Sequence, residues 1–168
     1  MSRRRPVPRR RSRQVALQVL YALDIAEATR SERSPTAEEA FERVAENFEL
    51  PEGARAFGQE LVRGIALHRA ELDALLSEHA TNWRISRMAA VDRNILRIGA
   101  YELTRTETPA RVVLDEAIEL ARRFGDDPSP SFVNGVLDAV ARAIGRGDER
   151  RGDAAGGRSV EEVREEFR

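Results

Sequence analysis

From Ala16 to Ile144 the apolar residues recur at three-and-four spacing and almost no stretch alternates, so the chain can bury its apolar surface only as packed helices. A first helix is expected from a Ser12 cap to about Ala28, burying Ala16, Leu17, Leu20 and Leu23. A polar loop, Thr29 to Thr36, ends on Ser34-Pro35. The second helix, about Thr36 to Phe48, carries Ala37, Ala40, Phe41, Val44, Ala45 and Phe48 on one stripe and stops before Pro51, since the residue ahead of proline disfavours helix. A third spans Glu52 to about Leu67 through Phe57, Leu61, Val62 and Ile65, and a fourth Arg69 to about His79 through Leu72, Leu75 and Leu76.

Asn82-Trp83 falls in a short connection, where a lone tryptophan is more often a packing wedge than a ligand platform. Ser86 is placed to cap a helix over Arg87 to Thr104, with an apolar face of Met88, Val91, Ile95, Ile98 and Leu103. Asp92, Arg93, Arg97, Tyr101 and Glu102 give that helix a dense polar side. Thr108-Pro109 reads as a cap with proline at the first helical position, opening a helix through Val113, Ala117, Leu120, Ala121 and Phe124 that Gly125 closes. Ser129-Pro130 repeats the device before a last core helix carrying Phe132, Val133, Val136, Leu137, Val140 and Ile144. Within it Asn134-Gly135 resembles a hairpin turn, but its flanks keep helical periodicity. Gly135 is therefore read as helical, and as a point where another backbone approaches. Beyond Ile144 the composition turns to glycine and charge, a linker, and Ser159 to Phe167 holds a possible short helix with a Ser159/Glu162 capping box.

Charge is distributed unevenly along this pattern. Seven of the 28 basic residues (Arg3, Arg4, Arg5, Arg9, Arg10, Arg11 and Arg13) lie in the first thirteen positions, and no acidic residue precedes Asp24. The remainder carries 21 arginines against 29 carboxylates, so a net charge of −1 conceals a basic arm on an acidic body. That asymmetry points to a polyanion-binding arm; an idle solvated tail is the alternative for residues 1–8, where Pro6 and Pro8 oppose helix. A secretory signal is excluded because Gln14 and Gln18 interrupt any apolar run. No stretch approaches the roughly 20 apolar residues of a membrane helix, so a soluble protein is expected. Absence of cysteine removes disulfides and thiolate chemistry and suits a reducing compartment. Arginine at every basic position, with no lysine, reads as a composition bias rather than a recognition device.

No catalytic constellation is evident. His68 and His79 are eleven residues apart with no partner at zinc spacing and read as helix-end histidines. No glycine-rich loop follows a strand. Pairs such as Glu116 with Arg122 or Arg123 suit solvated helix faces. No cofactor or metal is expected.

Three blocks in order resemble the NusB family of bacterial transcription antitermination factors: RRRSRQVALQVLY from Arg9, NWRISRMAAVDRNILRIGAYEL from Asn82, and DEAIELARRFGDDPSPSFVNGVLD from Asp115. The resemblance, running from about Arg9 to Ile144, implies an all-α NusB-like fold of two small bundles and no enzymatic activity. It divides the chain into a basic arm at 1–8, an RNA-binding domain at 9–145 (bundles 9–80 and 81–145) and a charged tail at 146–168. It further implies binding of single-stranded boxA RNA of nascent ribosomal RNA leaders, in a heterodimer with the ribosomal protein NusE. The pair then joins other Nus factors on RNA polymerase, in the cytoplasm.

By motif position Arg9, Arg10, Arg11, Arg13 and Gln18 would face RNA, together with Phe124 and the loop residues Ser129 and Ser131; Tyr21, Asp92 and Arg93 would face NusE. Arginine can pair with phosphate and stack on unpaired bases, and a helix-end phenylalanine can offer its π-face. Core packing is an equal reading for Phe124 and for Tyr21. The loop after Gly125 departs from some relatives in carrying Asp126 and Asp127 with two prolines and no basic residue. Two rival classes stay open. One is a helical homodimer with the arginine arm at its interface; the other, an RNA methyltransferase accessory domain, lacks room for a methyl-donor domain and the nucleophilic cysteine. The acidic tail is a further candidate to fold back on the arm.

Overall fold

A computed structural model describes residues 9–30 and 32–146. The arm at 1–8, the tail from 147 and its suggested helix at 159–167 lie outside the described residues. Among those described there are seven α-helices, one 3-10 turn and no strand, so the chain is all-α. No helix among them is long and apolar enough to cross a membrane. The chain forms two compact units, one ending at His68 and the next beginning at Arg69. That division falls one helix earlier than 80/81, because the helix after His68 packs on later helices.

The first unit holds α1 (Arg9–Ala28), α2 (Ala37–Ala45) and α3 (Glu52–Leu67). Helix α1 starts before its expected cap. Ser12 is fully buried inside the helix and its hydroxyl donates to the Ala54 carbonyl at 2.7 Å, tying α1 to the start of α3 instead of capping its own helix. Val15, Ala16, Val19 and Leu20 bury the same face, and Leu23 is only half-buried. A Cβ on Gly58 would stand 3.1 Å from the Phe41 ring and 3.5 Å from the Ser12 carbonyl, so glycine lets the three helices close at this level. Thr36 is a true cap: its hydroxyl accepts from the Glu39 amide, and the Glu39 carboxylate accepts in turn from the Thr36 amide. Helix α2 ends at Ala45, three residues short of Phe48, where turns take over.

The second unit holds α4 (Arg69–His79), the 3-10 turn Ile85–Arg87, α5 (Ala90–Arg105), α6 (Ala110–Phe124) and α7 (Ser129–Ala143). Here α5 is central, and the expectation of a polar side fails over its second half: every residue from Asn94 to Leu103 is buried. Burial of Arg97 is possible because Asp73 on α4 meets it with two bonds, 2.7 and 2.9 Å, and Asn94 accepts a third at 3.1 Å. Ser86 does not cap α5. It lies in the 3-10 turn, and α5 begins after Ala89 with no side-chain cap. Nor do Thr108 or Ser129 cap as expected, since the residues before α6 and α7 are Pro109 and Pro128. Arg122 pairs with Glu119.

Gly125 closes α6 as expected, whereas Gly135 departs from expectation. Gly125 ends α6 in extended conformation, so it serves by its size: a Cβ would lie 2.7 Å from both Cβ and Oγ of Ser129. Gly135 lies inside the unbroken helix α7, but no atom comes within 4 Å of where its Cβ would stand, so no backbone of the described chain approaches it. The end of α7 is more built than a linker. Gly145, at φ 79°, reverses the chain, with its amide bonded to the Arg142 carbonyl and that of Arg146 to Ala141. The Arg146 guanidinium then donates to the Leu103 and Thr108 carbonyls at 2.7 and 2.6 Å, so Arg146 belongs to the fold, not to the tail.

Candidate nucleic-acid interface

In the first unit the arginine cluster is the opening of α1 itself. Arg9, Arg10 and Arg11 are exposed, whereas Arg13 is 3% exposed. Phe57 on α3 contributes to that burial. The Arg9 guanidinium lies 4.5 Å from the centre of its ring and that of Arg13 5.5 Å, so two arginines one turn apart close on one aromatic ring. Arg11 donates to the Glu49 carbonyl at 3.1 Å. The cluster is therefore a braced patch, with Arg13 forming its inner wall.

Arg10, Gln14, Gln18, Tyr21 and Ile25 follow one another at helical spacing and form the outward stripe of α1. Its composition changes along the helix: a guanidinium at one end, two half-buried amides, then Tyr21 and Ile25, each 43% exposed. At 1.5 Å per residue the basic end lies about 16 Å from Tyr21. The sequence set apart three of these positions, Arg10, Gln18 and Tyr21, as RNA or partner candidates without seeing that they share a stripe. Tyr21 is not a core residue, which removes that alternative.

In the second unit Phe124 is half-buried at the end of α6, with the Arg123 guanidinium 5.5 Å from its ring. Ser131 is exposed in the first turn of α7. Ser129 is buried, and its hydroxyl accepts from the Asp126 amide at 3.1 Å, so it shapes the loop. Asp92, in the first turn of α5, has one carboxylate oxygen buried with no hydrogen-bond partner. Arg93 beside it is turned inward, donating to the Ile85 and Met88 carbonyls at 3.3 and 3.1 Å. Of the two NusE candidates on α5, then, Arg93 braces the 3-10 turn and Asp92 retains unused acceptor capacity.

The exposure of Trp83 runs against the favoured sequence reading. It is no buried wedge: the indole is 60% exposed, with its ring centre 5.5 Å from that of Phe132 on α7 at a 60° tilt. The preceding Asn82 takes φ 70°, a conformation asparagine tolerates. His68 and His79 sit at the ends of α3 and α4, and no group of three potential metal ligands occurs among the described residues.

The NusB family model matches residues 10–142. The transcription antitermination protein NusB of Myxococcus xanthus is 43% identical over 139 residues, covering 82% of this chain and 97% of that protein. Its counterpart from Solibacter usitatus is 49% identical over 136 residues, covering 81% and 90%. Among solved structures, one of antitermination factors NusB and NusE in complex with dsRNA superposes with a TM-score of 0.68 at 31% identity, covering 80% of this chain and 96% of that one.

Proposed function

The chain belongs to the NusB family of transcription antitermination proteins, and from that premise we propose that it binds boxA RNA of nascent ribosomal RNA leaders in a heterodimer with NusE. The pair joins other Nus factors on RNA polymerase in the cytoplasm, and the chain does no chemistry of its own. The observation that carries this reading is the outward stripe of α1. Arg10, with Arg9 and Arg11 beside it, offers charge to phosphates, and Gln18 offers an amide; farther along, Tyr21 and Ile25 offer apolar area to a protein. Arg13 supports the contact from below through Phe57.

In the second unit Phe124 and Ser131 supply a ring and a hydroxyl to RNA, with Ser129 holding their loop. Asp92 meets NusE, because an unsatisfied buried carboxylate oxygen is costly alone and favourable once a cationic partner donates to it. Both features also suit a homodimer, in which the same stripe would cover its copy before NusE displaces it.

The test is a titration of the full chain, with and without NusE, into boxA RNA, a scrambled strand and a duplex across a salt series. Preference for boxA that sharpens with NusE is expected. The log-log salt slope should be roughly −0.7 per phosphate contacted on a single strand, becoming shallower in Arg10→Ala. Tyr21→Ala and Asp92→Asn should weaken NusE capture and leave RNA binding by the chain alone unchanged. Equal weak binding to all three RNAs, indifferent to NusE, would refute the proposal.

A further inference from the structure

The exposed tryptophan lies in an unusual charge environment. Eleven arginines of the second unit fall among its described residues, and nine of them are engaged: Arg97, Arg105, Arg111, Arg122 and Arg142 with carboxylates, Arg93 and Arg146 with carbonyls, Arg123 with a ring, and Arg69 in an interaction of its own. The remaining two are Arg84 and Arg87, both exposed, whose guanidinium groups meet no carboxylate, carbonyl or ring among the described residues. They flank the one tryptophan of the chain, Arg84 directly and Arg87 at the far end of the 3-10 turn. Arg93 pins that turn through the Ile85 and Met88 carbonyls, so the flank is held in place.

We infer that Trp83, backed by Phe132 and flanked by Arg84 and Arg87, is a stacking site for an unpaired base of single-stranded RNA. A protein partner would call for a contiguous apolar surface. The exposed residues next to it along the chain, Thr81, Asn82, Arg84, Ser86 and Arg87, are all polar or charged, as is Ser131 beside Phe132, and the other exposed large hydrophobic residue among the described ones of this unit is Val112 on α6. Two exposed arginines within four residues of one exposed ring instead match a nucleotide, whose base offers a π-face and whose backbone offers phosphates. Phe132 follows Ser131, so the site continues the α7 surface assigned to RNA above, and it adds cations where the loop at Asp126 and Asp127 has none. A duplex, with its bases stacked internally, offers this ring no free face.

The inference rests on the RNA-binding reading, and the experiment separates the two. Because Trp83 is the sole tryptophan, its fluorescence reports the site directly. Single-stranded boxA RNA titrated into the full chain should quench that emission with the midpoint seen by RNA anisotropy, and a duplex of the same sequence should not. Trp83→Ala should weaken single-strand binding by roughly ten-fold and Trp83→Phe by less, with unchanged helicity. Arg84→Gln and Arg87→Gln should each reduce the salt slope by about 0.7. RNA binding with unaltered emission and full affinity in Trp83→Ala, while Arg10→Ala still weakens it, would overturn the stacking site and leave the family function standing. Quenching by NusE or by self-association in place of RNA would reassign the ring to a protein interface. A wild-type chain that binds no RNA would overturn both readings.

Discussion

Replacing Phe57 by leucine tests whether the arginine patch is built by the ring beneath it. Phe57 is buried at 6% exposure, and leucine keeps an apolar side chain there, so the change of shape alone should cost under about 1.5 kcal/mol. The ring also faces two guanidinium groups, 4.5 Å away for exposed Arg9 and 5.5 Å for buried Arg13. Such contacts contribute about 0.5–1 kcal/mol at an exposed site and about 2 when desolvated. Phe57→Leu should therefore lose about 3 kcal/mol in urea unfolding, with an unchanged denaturant slope. The specific quantity is the coupling, since Arg13 has further interactions that Arg13→Met also removes. A double-mutant cycle of Arg13→Met and Phe57→Leu should give about 1–2 kcal/mol of coupling. Amide exchange over Arg9–Arg13 should quicken in Phe57→Leu, and RNA affinity should fall because the first turn of α1 loses its brace. Coupling below about 0.3 kcal/mol would show that the ring and the guanidinium merely lie near each other.

Gly125→Ala should lower stability by about 2 kcal/mol or more, because its Cβ would meet Ser129 at 2.7 Å and the Ala121 carbonyl at 2.8 Å. Gly135→Ala should raise stability by about 1 kcal/mol, as that position is helical and open; thermal unfolding of both variants checks the opposite signs. Asp73→Ala should cost about 3 kcal/mol by stranding the buried Arg97 guanidinium, and Arg97→Met added to it should restore most of that loss; equal stability of the single and double variants would contradict this. Ser129→Ala should cost about 1–2 kcal/mol by leaving the Asp126 amide unpaired, and should quicken exchange at that amide above all others in the loop.

The helices were legible because their signals are local. Three-and-four apolar spacing and the prolines at 51, 109 and 130 placed α3 and α4 to the residue, and the remaining helices to within a turn. The family, too, was legible, since its three blocks stand in linear order. What misled were the caps. Ser12 and Ser86 have cap chemistry, but a partner distant in sequence claimed the first and a 3-10 turn the second.

From the sequence alone came the helical class, the basic start of the chain, the breaks between helices and the candidate residues, because each depends on the identities of near neighbours. Tertiary structure alone decided what those residues do. It buried Arg13 against Phe57 and left Arg10 outside, turned Arg93 inward beside an Asp92 with a spare oxygen, and made Arg97 and Arg146 parts of a core. It also exposed Trp83 on Phe132, forty-nine positions along the chain. A side chain's exposure and partners depend on which distant helix packs over it, and that is a property of the assembled fold rather than of any local window.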